Sequence, residues 1–385
     1  MRRRQIRPGL GCNAAYAASG HLLFMTVLSG FRGQLLAVPF SPGSAQSDLT
    51  PKTVLQDLFE DFYPGQAWFS LSRNGTLVYA VGNISQTKLV RVDQSGRIVS
   101  TYGGPGYYET LSLSPDENRM AYVRGGRIYV RNLQRGEVTL LTTEVEAPTM
   151  WLDRFPIWTP DGSRVVYSAG GIRGLYSKDA SGAGAPELLL PKEFSQLPGS
   201  MRKDGTLVFT GIHPETAADI WSLRPGGKPE PWRVTPKQEN SPKFSPDGQL
   251  IAYASDESER FEIYVSPFDS PLQRIPISTE GGRCPVWSPK GDRLFFRQGT
   301  KIMAVDIRPD GSAAGNPRML FDGGLSLATY GGLPIAPTRR IESDFSVMSN
   351  GDFLMVKAEP EAIPTRLHVI FNWFEELKRL VPTGK

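Results

Sequence analysis

The chain has 385 residues, and its 43 lysine and arginine residues against 39 aspartate and glutamate residues give a formal net charge of +4. Because these charges are nearly balanced and scattered, the composition argues against a dedicated nucleic-acid-binding surface, which requires clustered lysine and arginine. The 40 glycines and 32 prolines are typical of a protein built from many turns rather than from long helices.

Residues 1–13 form a basic tail that ends near Cys12. A secretion signal needs an apolar segment of roughly 7–15 residues after its basic start. The interval Gln5–Gly11 does not provide one, because it contains Arg7 and Pro8. No stretch of the sequence approaches the roughly 20 apolar residues of a membrane-spanning helix. We therefore expect neither an export signal nor membrane insertion, and we predict a cytoplasmic location for the chain as given.

From residue 14 onward a turn motif recurs eight times, and its clearest copy is Ser245-Pro246-Asp247-Gly248. Proline fixes φ in such a turn, and glycine takes the left-handed conformation that closes it. The turn-closing positions are Gly20, Gly75, Glu117, Gly162, Gly205, Gly248, Gly291 and Gly351. The central copies lie 42 to 45 residues apart. A period of about 40–45 residues with several short strands is typical of a β-propeller blade.

Short apolar runs follow each turn, for example Val165–Tyr167 and Ile251–Tyr253, as expected for strands covered on both faces. The sequence thus predicts an all-β propeller of four-stranded antiparallel blades over residues 14–371. Eight turn motifs favour seven or eight blades, and the alternative is six closed blades with one or two left over. In the third copy Glu117 replaces glycine, so either Glu117 is strained by roughly 1 kcal/mol or the turn shifts to Asn118. We favour the shift.

Residues 372–385 carry the helical signal of the chain. Asn372 is placed to cap a helix, and Glu375 three residues later completes the pattern of a capping box. The apolar residues of this segment would share one face, which favours packing against the propeller. They are Trp373, Phe374, Leu377 and Leu380.

Signs of catalysis are absent from the sequence. The nearest match to a hydrolase nucleophile motif surrounds Ser326, but no strand–turn–helix pattern and no α/β segment accompany it. The three histidines, His21, His213 and His368, fall in different copies and lack the spacing of zinc ligands. We therefore predict no catalytic residue, no metal and no cofactor.

Binding is predicted at the rim of the channel, where each inner strand begins. Aromatic and arginine side chains, which often anchor interfaces, are found there. The candidate residues are Tyr107, Tyr108, Asp153, Arg154, Glu239, Asn240, Arg283 and Asp344. From these positions we expect a monomeric, non-catalytic module that binds a protein or a small ligand. The alternative is an accessory propeller of a serine peptidase or hydrolase.

The motifs SPDGQLIAY, TPDGSRVVY and SPKGDRLFF resemble the repeats of TolB-type, WD-like propellers. More narrowly, FSPDGQLIAYASDES, EIYVSPF and HVIFNWFEELKRLVP are similar to the C-terminal propeller regions of membrane-tethered bacterial serine/threonine protein kinases. This resemblance spans about residue 14 to the end. It implies a sensor or scaffold role in bacterial signalling, and an extracytoplasmic location if the chain is part of such a kinase. The kinase motifs themselves are missing, so kinase activity is not implied.

Overall fold

The computed structural model describes residues 11–28, 32–40, 50–58, 68–81, 87–142, 154–169, 174–191, 193–213, 217–324, 344–359 and 366–383. The chain divides into two compact units. The first, called the small unit below, combines Met1–Thr87 with Ala358–Lys385, and the second, called the ring, is Lys88–Lys357. The boundary predicted between residues 371 and 372 falls inside the small unit.

The described strands follow one another in short antiparallel pairs. Those of the small unit before the ring are β1 (Gly11–Ala17), β2 (His21–Leu28), β3 (Arg32–Pro39), β4 (Lys52–Leu58), β5 (Phe69–Leu71) and β6 (Leu77–Ala80). Those of the ring are β7 (Thr87–Val92), β8 (Ile98–Gly106), β9 (Tyr108–Leu113), β10 (Arg119–Arg124), β11 (Arg127–Asn132), β12 (Val138–Leu140), β13 (Arg154–Trp158), β14 (Arg164–Ala169), β15 (Gly174–Asp179), β16 (Glu187–Pro191), β17 (Ser195–Met201), β18 (Leu207–His213), β19 (Ala217–Leu223), β20 (Pro229–Arg233), β21 (Glu239–Phe244), β22 (Leu250–Ser255), β23 (Glu262–Pro267), β24 (Ile275–Pro276), β25 (Arg283–Trp287), β26 (Arg293–Gln298), β27 (Lys301–Asp306), β28 (Arg318–Asp322), β29 (Phe345–Val347) and β30 (Phe353–Ala358). The small unit ends with β31 (Leu367–Ile370) and α1 (Trp373–Leu380).

The ring contains six four-stranded blades. Blades 1 to 5 are β9–β12, β13–β16, β17–β20, β21–β24 and β25–β28, and blade 6 joins β29 and β30 to β7 and β8. The inner strands contact each other in order from β9 to β29, and β29 contacts β9, so the ring is closed. Blade 6 takes strands from both ends of this unit, which ties the two ends together. Six blades is the lower count that the sequence left open, and it replaces seven or eight for this ring.

A separate cluster of buried apolar side chains lies between each pair of neighbouring blades. Between blades 5 and 6, for example, the rings of Phe295 and Phe321 each meet the ring of Phe353 edge-on at 5.2 Å. Both faces of each blade are therefore buried, which explains why the strands are continuously apolar rather than alternating.

All eight predicted turns form, and in each the N–H of the closing residue donates to the carbonyl three residues earlier. Glu117 has φ 56°, like the glycines at the equivalent positions, so the predicted shift to Asn118 is wrong. The Glu117 carboxylate accepts bonds from the N–H and the hydroxyl of Ser349 in blade 6, at 2.7 and 2.9 Å. These bonds offset the strain of a left-handed non-glycine residue.

The small unit has one four-stranded sheet, β1–β2–β3–β4, and one three-stranded sheet, β31–β6–β5. Helix α1 packs on their shared core through Trp373 and Leu377, which are fully buried, as the apolar face predicted. Asn372 precedes the helix with φ 54° and makes no side-chain capping bond. The predicted capping box is therefore wrong, and the side chain of Glu375 instead accepts a bond from Lys378 at 2.9 Å.

Candidate functional site

Three inner strands of the ring bend where a residue with a left-handed backbone precedes a proline. These residues are Phe155, Ser241 and Cys284, with φ of 59°, 57° and 54°. At each of them the pairing with the next strand shifts by a residue, which defines a β-bulge. Bulges bend a strand and redirect its side chains, and they are frequent beside functional sites. The inner walls of the ring are therefore locally specialised rather than regular.

A cavity of about 380 Å³, called the ring cavity below, lies among these walls and takes residues from all six inner strands. One layer of it consists of the residues two positions before the first residue of each turn motif. They are Ser112, Ile157, Ser200, Lys243, Val286 and Ser346. Phe155, which is partly exposed, also lines the cavity, so the cavity combines apolar surface with a few polar groups.

The polar groups of the ring cavity are chiefly hydroxyls. Ser200 Oγ accepts the N–H of Phe244 at 2.7 Å, and Ser346 Oγ accepts the N–H of Leu113 at 3.3 Å. Both hydroxyls act there as acceptors, and each also carries a proton that it can donate. The Thr110 hydroxyl oxygen is buried and has no hydrogen-bond partner within the described residues. That oxygen is closed to a molecule in the cavity, so Ser200 and Ser346, which are partly exposed, are the hydroxyl residues that a ligand can reach.

The walls of the cavity are held together by bonds between neighbouring inner strands. The Trp158 indole N–H donates to the Ser112 carbonyl, and the Trp287 indole N–H donates to the Lys243 carbonyl, both at 3.0 Å. Lys243 Nζ donates to the Gly199 carbonyl at 2.7 Å. A Cβ on Gly199 would lie 2.4 Å from the Pro242 carbonyl oxygen, so only glycine permits this approach of β17 to β21. The cavity is thus preformed.

The tyrosines predicted to bind at the rim are buried. Tyr108 belongs to the core between blades 6 and 1, its hydroxyl donates to the Gly104 carbonyl at 3.1 Å, and the Arg124 guanidinium lies over its ring at 5.4 Å. Tyr107 precedes β9 and is also buried. Both side chains therefore contribute to packing between or beside blades, and a binding role for them stays a prediction.

Glu239 and Asn240 begin β21 and are completely buried. The Thr235 hydroxyl donates to Glu239 at 2.7 Å, and Arg233 Nε lies 3.6 Å from the same carboxylate. Burial raises the pKa of Glu239 to about 7, although the Thr235 bond and the Arg233 charge lower it. Asn240 Oδ1 accepts a bond from the Ser241 hydroxyl at 3.2 Å. This pair lies inside the ring wall rather than on an exposed rim.

The remaining predicted residues also belong to the wall or lie outside the description. Asp344 is fully buried and binds Arg297 through two bonds of 2.8 and 2.7 Å. The Arg283 guanidinium lies 3.6 Å from the centroid of the Phe261 ring. Arg154 begins β13, and its side chain is not described. Asp153 lies outside the described residues, as does Ser326.

Sequence reasoning missed the ring cavity because it looked only at where inner strands begin. A usable signal was present: the position two residues before each turn motif recurs in every blade with a small or polar residue in four of six copies. Within the described part of the chain, no group of three or more His, Cys, Asp or Glu side chains could hold a metal ion. No described helix is long and apolar enough to cross a membrane.

These features define a six-bladed propeller with a central cavity, and comparison with solved structures agrees on the fold. A putative TolB from Agrobacterium tumefaciens matches with a TM-score of 0.56 and 19% identity, over 71% of this chain and 99% of that one. TolB from Acinetobacter baumannii matches with a TM-score of 0.45 and 15% identity, over 77% of this chain and 81% of that one. The first of these two matches shows that the chain has a TolB-like propeller fold.

A third match is to a prolyl endopeptidase structure, with a TM-score of 0.43 and 13% identity over 80% of this chain and 49% of that one. At this level of similarity it carries no argument about activity. No family model matches the sequence, and no curated protein matches it.

Proposed function

We propose that this protein is a non-catalytic binding module and that the ring cavity is its ligand site. The observation that supports this is the cavity itself, which takes residues from six strands, measures about 380 Å³ and is preformed. Sites for small molecules are typically concave, mostly apolar, and roughly 300–1,000 Å³ in volume, with a few placed polar groups. The ring cavity fits this description at its lower end.

The polar groups of the cavity suggest the chemistry of the ligand. The hydroxyls of Ser200 and Ser346 can donate a hydrogen bond, and the partly exposed Phe155 and Val286 offer apolar surface. A small aromatic molecule with one hydrogen-bonding group would bond to one of these hydroxyls and cover the apolar wall. We therefore choose indole and benzamide as probes.

The test is ligand-observed NMR with indole and benzamide on the whole chain. Saturation transfer to the probes is expected for the wild type, and it should disappear in Thr110→Trp, whose side chain fills the cavity. Ser346→Ala removes one of the two hydroxyls that line the cavity and should weaken binding by roughly 5–10-fold, the loss of about one hydrogen bond. Leu272→Trp, at a position that is 89% exposed in the ring, is the matched control and should bind like the wild type.

Equal saturation transfer in the wild type and in Thr110→Trp, with both proteins folded by circular dichroism, would refute binding in the ring cavity. The further expectation of a role in bacterial signalling rests on the sequence resemblance and stays a prediction, as does the expectation that the chain is not an enzyme.

A further inference from the structure

The small unit has a concave site of its own, called the small-unit groove below. It measures about 540 Å³ and lies along β1 and β5, with Phe374 of α1 as a third wall. All of its described lining residues belong to the small unit, so the groove is separate from the ring cavity.

The groove is built from the same positions of the turn repeat as the ring cavity. In the ring, the second residue of the turn motif lines the cavity as a proline in four blades: Pro115, Pro160, Pro246 and Pro289. In the small unit the two turns begin at Ala17 and Ser72. Their second residues, and the residues two positions before each turn, all line the groove: Ala18, Arg73, Ala15 and Ser70. A position that is apolar in most of the ring thus carries an arginine here.

The apolar walls of the groove are aromatic and fixed in place. Phe69 and Phe374 are partly buried, and both pack on the core of the small unit. The Trp373 N–H donates to the Gly75 carbonyl at 2.8 Å, which holds the start of α1 on the turn after β5. A Cβ on Gly75 would lie 2.9 Å from Phe374 Cδ2, so only glycine lets this ring approach the turn. The aromatic surface is therefore preformed.

The groove has a single charge among its described lining residues, the guanidinium of Arg73. Arg73 is exposed, and it forms no ion pair within the part of the chain that the structure describes. A guanidinium offers a planar pair of N–H donors that matches the two oxygens of a carboxylate. The charge that complements the groove is therefore negative, and its best geometric match is a carboxylate.

We propose that the small-unit groove binds a small aromatic monocarboxylate, whose ring lies against Phe69 and Phe374 and whose carboxylate pairs with Arg73. The volume of the groove and its combination of apolar walls with one placed charge are typical of small-molecule sites. This site is independent of the ring cavity, so its failure would leave the proposed function untouched.

The first test compares a charged and a neutral probe of the same shape, 2-naphthoate and 2-naphthamide, by calorimetric titration of the whole chain. The wild type should bind naphthoate roughly 5–10-fold more tightly than naphthamide, because only the carboxylate pairs with Arg73. Arg73→Gln should remove this preference and leave the affinity for naphthamide unchanged. Arg135→Gln removes an exposed arginine from a turn of the ring, and as the matched control it should bind both probes like the wild type.

Two results of this titration would overturn the proposal. One is a wild type that does not bind naphthoate, and the other is equal affinity of the wild type and Arg73→Gln for naphthoate. Raising the salt concentration from about 0.05 to 0.5 M should weaken naphthoate binding and not naphthamide binding, since salt screens an exposed charge pair. Naphthoate binding that does not respond to salt would contradict the pairing with Arg73.

The second test locates the bound probe by hydrogen exchange. Naphthoate should slow the exchange of amides in β1 and β5 of the wild type, and Ala18→Trp, which places a large ring at an exposed position of the groove, should abolish this effect. Slower exchange confined to inner strands of the ring such as β21, or the same slowing of β1 and β5 in Ala18→Trp, would overturn binding in the small-unit groove.

Discussion

The ring and the small unit are built from the same turn repeat but complete it differently. In the ring, six sheets of four strands each cover both faces of their neighbours, and blade 6 joins strands from both ends of the unit. In the small unit, two sheets share one core with helix α1, and no described strand pairs with the outer edge of β31. A repeat of this kind cannot bury its own faces, so its stability depends on the neighbours available to it.

The largest difference in stability between the two units is expected when one phenylalanine side chain is removed from each, buried in the ring and exposed in the small unit. Phe353→Ala empties the contact between blades 5 and 6, where Phe353 is fully buried against Phe295, Phe321 and Phe345. We expect a loss of about 3–5 kcal/mol in the free energy of unfolding of the ring, measured by urea denaturation.

Phe371→Ala is the matched change in the small unit, at a side chain that is 72% exposed. It should alter stability by no more than about 0.5 kcal/mol in a dilute sample. Similar losses for the two variants would mean that the ring is not closed at blade 6.

A second prediction concerns the buried carboxyl group of Glu239 in the ring wall. Its pKa is raised to about 7 in the folded ring, so between the ordinary pKa of glutamate and pH 7 the folded state binds more protons than the unfolded state. This contribution to stability is therefore fully present at acidic pH and is lost as the pH rises to about 7. The expected size is up to a few kcal/mol, at about 1.4 kcal/mol per pKa unit.

Glu239→Gln should abolish this dependence, which denaturation series at several pH values would reveal. Glu259→Gln, at an exposed carboxyl group that pairs with Lys237, is the control and should leave the slope unchanged. The contribution of Glu239 is the difference in stability between the wild type and Glu239→Gln. A difference that shifts in favour of the wild type between pH 5 and pH 7 would contradict the burial argument.

The smallest effect is expected at the turn of blade 1. Glu117→Ala keeps a left-handed residue with a Cβ but loses both bonds to Ser349, so it should destabilise the ring by about 0.5–1.5 kcal/mol. Glu117→Gly loses the same bonds but relieves the backbone strain, and it should be about 1 kcal/mol more stable than Glu117→Ala. If Glu117→Gly and Glu117→Ala had equal melting temperatures, the strain at this position would be refuted.

Much of the fold could be predicted because turn chemistry is local. Proline, aspartate and glycine at fixed places specify a hairpin wherever they occur, so the eight turns and the strands after them follow from the sequence. The number of blades in the ring does not, because nothing local tells which strands from the two ends of the unit share blade 6. The conformation of Glu117 depends likewise on Ser349, which lies 232 residues away in the chain.

The site was harder to predict for a related reason. The sequence alone predicts an exposed rim carboxylate at Asp344. In the structure Asp344 is paired with Arg297, which lies 47 residues earlier in the chain. A charged residue near a turn looks the same in sequence whether it is solvated or paired inside a wall. The ring cavity emerges only when six inner strands are assembled, since each contributes one or two side chains to it.

The most direct test of the difference between the ring and the small unit is hydrogen exchange, measured by mass spectrometry on the dilute whole chain. Amides of β30, Phe353–Ala358, should exchange only with unfolding of the ring, whereas amides of β31, Leu367–Ile370, should exchange early because most of its residues are exposed and no described strand pairs with its outer edge. Early exchange in β30, or protection of β31 equal to that of β30 in a dilute sample, would contradict a closed ring in one unit and an open sheet in the other.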